Sequence, residues 1–447
     1  MQNKRGEWSS KIGFIFAAAG SAIGLGNIWR FPYVVGENGG AAFVMLYIFF
    51  VVIIGLPYML AEFALGRSAQ RNPAGAIQQL NPGSKWKWIG LFGILTGTGI
   101  LSFYGVIAGW TVGYVYKMAT ADVGGFREFI ADPVAVTLLF AGFLVLTTLI
   151  VYGGVSKGIE RWAKILMPLL LVLLVALIIY ANTLDGSGKG LSFYLYPDLT
   201  KITGRTVLAA LGQAFFSLSL GMGLMVTYGS YISKRDNILS SSLYIVLFDT
   251  AIAIMAGLII FPALFALGKN PAAGPELIFV VFPQLFAEIP GGLYVGSVFF
   301  ILLSVAALTS TISLLEVPVS YFVDEYRAKR HHIVWWVALF VFIIGLPSAL
   351  SQGSVDFFTN FGLIPDYLTS PDFLSQMSFF FGDFSLAFGA LMLSIFMGWI
   401  WGADKAAAEL EIGSPGFRRI RKAWIFLVRY FIPAVVFLIL LNLFGIF

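Results

Sequence analysis

The 447-residue chain contains no cysteine, and its two histidines are adjacent at 331 and 332. Disulfides, thiolate metal centres and cysteine nucleophiles are excluded, and little remains for histidine-based catalysis or metal binding. Charge is scarce as well. Asp, Glu, Lys and Arg make up 11% of the residues against 59% hydrophobic, with a mean hydropathy of +0.88. A soluble domain carries about a quarter charged residues and could not keep so much apolar surface from water, so this is the composition of an integral membrane protein. The net charge of +5 does not point to nucleic acid, because the basic residues fall in short clusters between apolar runs. That pattern is a topology signal. Lys4, Arg5 and Lys11 followed by IGFIFAAAGSA have the outline of a signal peptide. Cleavage there would split a motif that continues to Pro32, so the segment reads as part of the first span.

Apolar runs near the bilayer-crossing length of about 20 residues occupy 12–36, 41–66, 89–117, 134–152, 163–182, 206–232, 239–268, 293–324, 332–352, 380–401 and 423–446, which predicts eleven transmembrane helices. With the N-terminus in the cytoplasm, 20 of the 28 Lys and Arg fall on the cytoplasmic side and six in outer loops, while Arg30 and Arg429 lie within spans. The positive-inside rule therefore predicts a multi-pass protein of the plasma (cytoplasmic) membrane, with the N-terminus cytoplasmic and, after an odd number of spans, the C-terminus extracellular. The stretch 270–292 is too short to cross and reads as a re-entrant or capping hairpin, and 190–200 as a structured outer loop.

Two spans are interrupted by glycine pairs. Gly24 and Gly26 break the first, Gly221 and Gly223 break the sixth, and five spans separate the two breaks. Glycine-broken segments at corresponding places of two halves with opposite topology point to a transporter's binding site. Unwound backbone offers carbonyls to a cation and helix N-termini to an anion, which a bilayer tolerates only around an enclosed site. Close helix packing is the alternative use of such glycines. The Asn27, Ser217 and Ser219 side chains beside the breaks favour a site. A dinucleotide-binding reading of GLGN fails for want of a preceding strand.

The segments KRGEW, GSAIGLGNIWRFPYVVGENGGAAF, AFFSLSLGMGLMVTYGSY and ALTSTISLLE resemble the signature segments of the neurotransmitter:sodium symporters, particularly their bacterial amino-acid transporters. The similarity runs from about residue 4 to 402. It implies an all-α, LeuT-like 5+5 inverted-repeat fold with helices 1 and 6 unwound. Residues 1–182 would form the first repeat, 183–402 the outer loop and second repeat, and 403–447 helix 11. The chain departs from the family pattern in lacking a twelfth span.

The resemblance further implies two Na⁺ sites. One would be built from Ala22, Asn27, Ser217 and Asp249 and completed by the substrate carboxylate; the other from Gly20, Ile23, Ala306, Thr309 and Ser310. All are hard oxygen ligands suited to an alkali cation that must be bound and released. For the substrate it implies Ala22, Gly26 and Tyr104 at the carboxylate, Phe216, Ser217 and Ser219 at the amino group, and Ile100, Phe216, Met222, Ser310 and Leu314 around the side chain. Gly24 stands where monoamine members of the family carry an aspartate, so a ligand bringing its own carboxylate is expected.

Arg30 with Phe216 would form an outer gate, whose acid is left open. Ser378 stands at the family position, and Asp383 and Asp372 lie nearby. Arg5, Trp8, Tyr231 and Asp324 would form an inner gate. Gly158 and Pro168 would bound a segment of span 5 that unwinds to release sodium. Members that need chloride bind it with groups matched here by Tyr47, Gln213 and Ser217, but Asp249 and Ala253 replace the other two. A resident carboxylate supplies the anion's charge, so chloride-independent transport is expected, with proton counter-transport once sodium has left Asp249.

The expected function is therefore sodium-coupled symport of hydrophobic L-amino acids by alternating access. The alternative is a transporter-like amino-acid receptor or channel without coupled transport. Expected partners are a hydrophobic L-amino acid, two Na⁺ and the lipid bilayer, with no nucleic acid and a monomeric or weakly dimeric state. An enzyme is not expected, since no convergent nucleophile and base is found.

Overall fold

Apolar runs in a bilayer find no water for their backbone groups, so each must close its hydrogen bonds along a helix. The structure is a computed structural model describing residues 6–269, 277–289 and 291–446, and the regular elements among these are helices. Among the described residues, nine helices are long and apolar enough to cross a membrane: Ala41–Ala69, Lys87–Ala119, Pro133–Tyr152, Val155–Asn182, Ile238–Ala266, Gly292–Tyr326, Arg330–Leu350, Phe373–Ile400 and Arg421–Leu443. Lys11–Ala22 and Gly26–Glu37, bent by 53°, make a tenth if counted as one span.

The run 206–232, expected as a span broken at Gly221 and Gly223, is two helices, Gly204–Ser217 and Leu224–Gly229, and neither is long enough to cross alone. Left-handed backbone at Ser219, Gly221 and Gly223 stops the helix between them. Two spans begin earlier than their apolar runs, at Val155 rather than 163 and at Phe373 rather than 380. Both early starts carry polar residues, the first in the π-helical turn Val155–Glu160 and the second at Ser375 and Gln376 of Phe373–Met377, which lower the hydropathy there.

Several helix starts follow from local chemistry. Asn72 and Asp132 cap the first turns of helices opening with Pro73 and Pro133, and Asn237, Asp372 and the Thr203 capping box do the same elsewhere. Such caps satisfy amides that the helix leaves unpaired.

The centre is the pair Lys87–Ala119 and Gly292–Tyr326, which pack along each other. They bury 78% and 83% of their most apolar stretches, against 33% for Val155–Asn182 at the periphery. Small residues permit the close approach: a methyl group on Gly296 would collide with Met118 of the facing helix. On the outside, Leu138, Leu149, Val172 and Ile179 remain exposed, as lipid-facing residues should.

Within the expected hairpin 270–292, Leu277–Glu288 is a helix too short to cross, while 270–276 and Pro290 lie outside the described residues. The expected outer loop 190–200 is largely helical, being continuous with Ser187–Leu195 and a short turn at Leu199–Lys201.

Candidate transport site

Helix Lys11–Ala22 ends at Ala22, and Ile23 and Gly24 leave the helical path before Leu25 returns to it and a π-helical turn begins at Gly26. The freed amides find side chains. The Gly24 nitrogen donates to Asn27 Oδ1 at 3.2 Å, and the Leu25 nitrogen to Tyr104 Oη at 2.9 Å. Asn27 Nδ2 then donates to Ser217 Oγ at 3.0 Å and to Asp249 Oδ1 at 2.8 Å. Ser217 Oγ donates to Asp249 Oδ2 at 2.7 Å and lies 2.9 Å from Tyr47 Oη, while Gln213 Nε2 donates to the Gly26 carbonyl at 3.1 Å. Asn27, Tyr47, Gln213, Ser217 and Asp249 are buried, and Tyr104 is partly buried. Asn27, Ser217 and Asp249 are thus together, with Tyr47 and Gln213 beside them.

The second expected set also converges. Thr309 Oγ1 donates to the Ile23 carbonyl at 3.3 Å and the Ala306 carbonyl at 2.8 Å, and Ser310 Oγ to the Ile23 carbonyl at 3.2 Å. Gly20 abuts this group, since a methyl on it would lie 3.2 Å from Thr309 Cβ. Ser219 reaches the same break, donating to the Ser21 carbonyl at 3.2 Å.

Above the first break lies a cavity of about 360 Å³ lined by Gly26, Arg30, Ile100, Tyr104, Phe216 and Asp383, among others. Met222, Ser310 and Leu314 do not line it. Ser310 is packed by Gly24, and the Met222 backbone and Leu314 flank Gly97. The Arg30 guanidinium stacks 4.2 Å above the Phe216 ring and approaches Asp383 at 3.6 Å. Asp383 is therefore the acid beside Arg30. Asp372 instead caps Phe373–Ile400 and accepts from Gln352, and Ser378 lines the cavity. Arg30, Phe216 and Asp383 also line a second outer cavity of about 320 Å³, so this cluster stands between the two.

On the opposite side of the breaks, the Trp8 indole donates to the Tyr228 carbonyl at 3.1 Å and packs edge-on against Tyr231. Tyr231 donates to Glu316 at 2.7 Å, and Glu316 pairs with Arg330. Asp324 accepts from the Asn72 backbone at 2.8 Å. Arg5 lies outside the described residues. Gly158 sits in the π-helical turn Val155–Glu160, and Pro168 lies inside the helix that follows.

Among the buried acids that the sequence reading does not single out are Glu316 and Glu62, which accepts from the Gly221 amide at 2.7 Å. Both lie within apolar runs, and that placement was the available signal. Arg429 is held internally, donating to the Gly398 carbonyl at 3.0 Å.

Broken helices whose ends meet buried oxygen ligands in a multi-pass bundle define a membrane transporter. The chain belongs to the Sodium:neurotransmitter symporter family, whose profile matches residues 5–125 and 120–446. It is 37% identical over 455 residues to YhdH, an uncharacterized sodium-dependent transporter of Bacillus subtilis, covering 100% of this chain and 99% of the relative. Sodium- and chloride-dependent GABA transporter 2 of Homo sapiens is 26% identical over 497 residues, covering 97% of this chain and 79% of that one. The crystal structure of MhsT in complex with L-phenylalanine is similar with a TM-score of 0.85 and 44% identity, covering 98% of this chain and 100% of that one. This is a sodium-coupled transporter, and its family and neighbours are transporters rather than enzymes.

Proposed function

We propose that the protein imports hydrophobic L-amino acids, aliphatic and aromatic, with two sodium ions by alternating access and without chloride. The observation that carries this reading is the buried cluster in which Asn27, beside the first break, meets Ser217, at the second, and Asp249 from the neighbouring helix. Its ligands, like those around Thr309 and Ser310, are hard oxygens, which suit an alkali cation. A sodium ion in the first cluster would be held by the oxygens of Asn27, Ser217 and Asp249 in place of the hydrogen bonds these groups make to one another, and the substrate carboxylate would complete its shell beside Ala22. The apolar cavity walls at Ile100 and Phe216 suit a hydrophobic side chain, and the L-phenylalanine bound by MhsT supports the same ligand class.

In this reading Arg30, Asp383 and Phe216 close the outer gate, and Arg5, Trp8, Tyr231 and Asp324 the inner one. The two short helices of 206–232 cross as a broken pair, giving eleven spans in two inverted repeats, with the N-terminus cytoplasmic and the C-terminus extracellular. The protein acts as a monomer or weak dimer. Asp249 already supplies a negative charge beside Tyr47 and Ser217, and a chloride there would be repelled in a poorly screened interior. On the empty return step the same carboxylate carries a proton outward.

Proteoliposomes containing the protein should accumulate labelled leucine and phenylalanine down a sodium gradient, lose that accumulation when the gradient is dissipated, and keep it when gluconate replaces chloride. Binding without any accumulation would favour the receptor reading, and strong chloride dependence would end the assignment given to Asp249. Asp249→Asn combined with Ala253→Ser should gain chloride dependence in the same assay.

A further inference from the structure

Glu160 takes no part in either sodium cluster, the cavities or the gates, yet it is 1% exposed and binds groups from two separate segments. From the segment before the first helix, the Ser9 nitrogen donates to Oε2 at 2.7 Å, Ser9 Oγ to Oε1 at 2.6 Å, and Ser10 Oγ to Oε1 at 2.8 Å. From its own helix, Lys164 Nζ donates to Oε1 at 2.7 Å. Ser10 has a second duty. Its Oγ accepts from the Gly13 nitrogen at 3.1 Å and so caps helix Lys11–Ala22, the first half of the broken span. One hydroxyl therefore caps that helix and donates to Glu160. There is no slack at the contact, because a methyl on Gly13 would collide with the Glu160 carboxyl.

Glu160 closes the π-helical turn Val155–Glu160 and lies between Gly158 and Pro168. Glu160 and Lys164 sit one turn apart, so their spacing depends on this segment remaining helical. Bonds to an ionised carboxylate are about twice as strong as neutral ones, and the Glu160 side chain accepts four. If the segment unwinds, the carboxylate leaves Ser9 and Ser10 and the first helix loses a partner of its cap. If the first helix swings out, Glu160 is left buried beside Lys164 alone.

We propose that Glu160 is a positioning residue that clasps the start of the broken first helix to the release segment, so that the two open as a single unit. The inference rests on the reading of 158–168 as the segment that opens during transport.

The chain has no cysteine, so Ser313→Cys supplies a lone thiol. Ser313 is buried one turn beyond Ser310 and donates to its carbonyl. In detergent with saturating sodium, maleimide should label this thiol about tenfold faster when Glu160→Gln is added, the effect of losing roughly one charge-assisted bond. Ser9→Ala with Ser10→Ala should give a similar rise while leaving the Glu160–Lys164 pair in place, which keeps the test readable if Glu160→Gln does not fold. All three changes together should label no faster than the faster of the two partial sets, the non-additivity expected of one shared contact.

Hydrogen exchange is the second readout. Residues 9–14 and 155–168 should open together in the native protein and separately in either variant. Unchanged labelling, additive rates or segments that exchange independently in the native protein would overturn the clasp. None of these measurements requires transport. A protein that moves no amino acid but shows the coupling refutes the transport reading alone, and sodium-driven uptake with no coupling refutes the clasp alone.

Discussion

The two helix breaks carry matching glycine pairs and are built on different physics. At the first, neither Gly24 nor Gly26 has a positive φ, and what the glycines supply is room. A methyl on Gly24 would stand 2.5 Å from Ser310 Oγ and 2.6 Å from Tyr104 Oη, and one on Gly26 would stand 2.9 Å from the Phe216 ring. The break is held by side chains, with Asn27 and Tyr104 accepting the freed amides. At the second, Ser219, Gly221 and Gly223 have φ of 52°, 85° and 72°, and the chain turns through conformations that a Cβ disfavours. Glu62 accepts the Gly221 amide there, but the backbone carries the turn. The same motif thus provides space in one half of the molecule and conformational freedom in the other.

That contrast can be broken by substitution. The largest effect should come from Gly221→Ala, where the left-handed backbone costs about 1–2 kcal/mol. A Cβ would also meet the Leu386 carbonyl at 2.7 Å and Ala390 Cβ at 2.8 Å. A total of roughly 3 kcal/mol should appear as a clear fall in melting temperature or loss of folded protein in detergent. Gly24→Ala should leave the melting temperature nearly unchanged, because its obstacles are the ends of two side chains. Its substrate affinity should fall about tenfold, an overpacking cost near 1.4 kcal/mol, and Tyr104→Phe should restore part of the loss by removing one hydroxyl. Equal melting losses for the two alanine variants would erase the distinction between the breaks.

Smaller effects sharpen it. Met222 sits between the two left-handed glycines and is a flexible gap-filler. The cavity does not reach Met222, so Met222→Phe should disfavour tryptophan relative to leucine, by about 1–3 kcal/mol in competition binding, only where the loaded pocket deepens toward it; an unchanged ratio would remove Met222 from the pocket. The smallest change concerns a third irregularity, the proline inside Val155–Asn182. Pro168→Ala should slow sodium-driven uptake several-fold while leaving substrate binding intact, and equal loss of both would show a static kink.

Much of this architecture was legible in the sequence. The broken first span and the stop after Ser217 follow from Gly24, Gly26, Gly221 and Gly223, since glycine permits what a continuous helix forbids. Asn27 and Asp249 stand out because polar and ionisable groups inside an apolar run need partners. Hydropathy misplaced the starts at Val155 and Phe373, where polar residues are carried inside the helix by tertiary contacts. It also merged 206–232 into one span, because a summed property cannot register three left-handed residues.

The sequence by itself determined that the chain lives in a membrane, roughly where most of its helices run, and that the first span and the run 206–232 are interrupted, because apolar length and glycine placement act locally. Only the tertiary structure decided that Asp383 rather than Asp372 stands by Arg30, that Tyr231 meets Glu316, and that Glu160 reaches back to Ser9 and Ser10. Glu160 is 151 residues from Ser9 along the chain. A hydrogen-bonded contact so far apart in sequence leaves no periodic trace, and its geometry exists only once the helices between the two residues have packed.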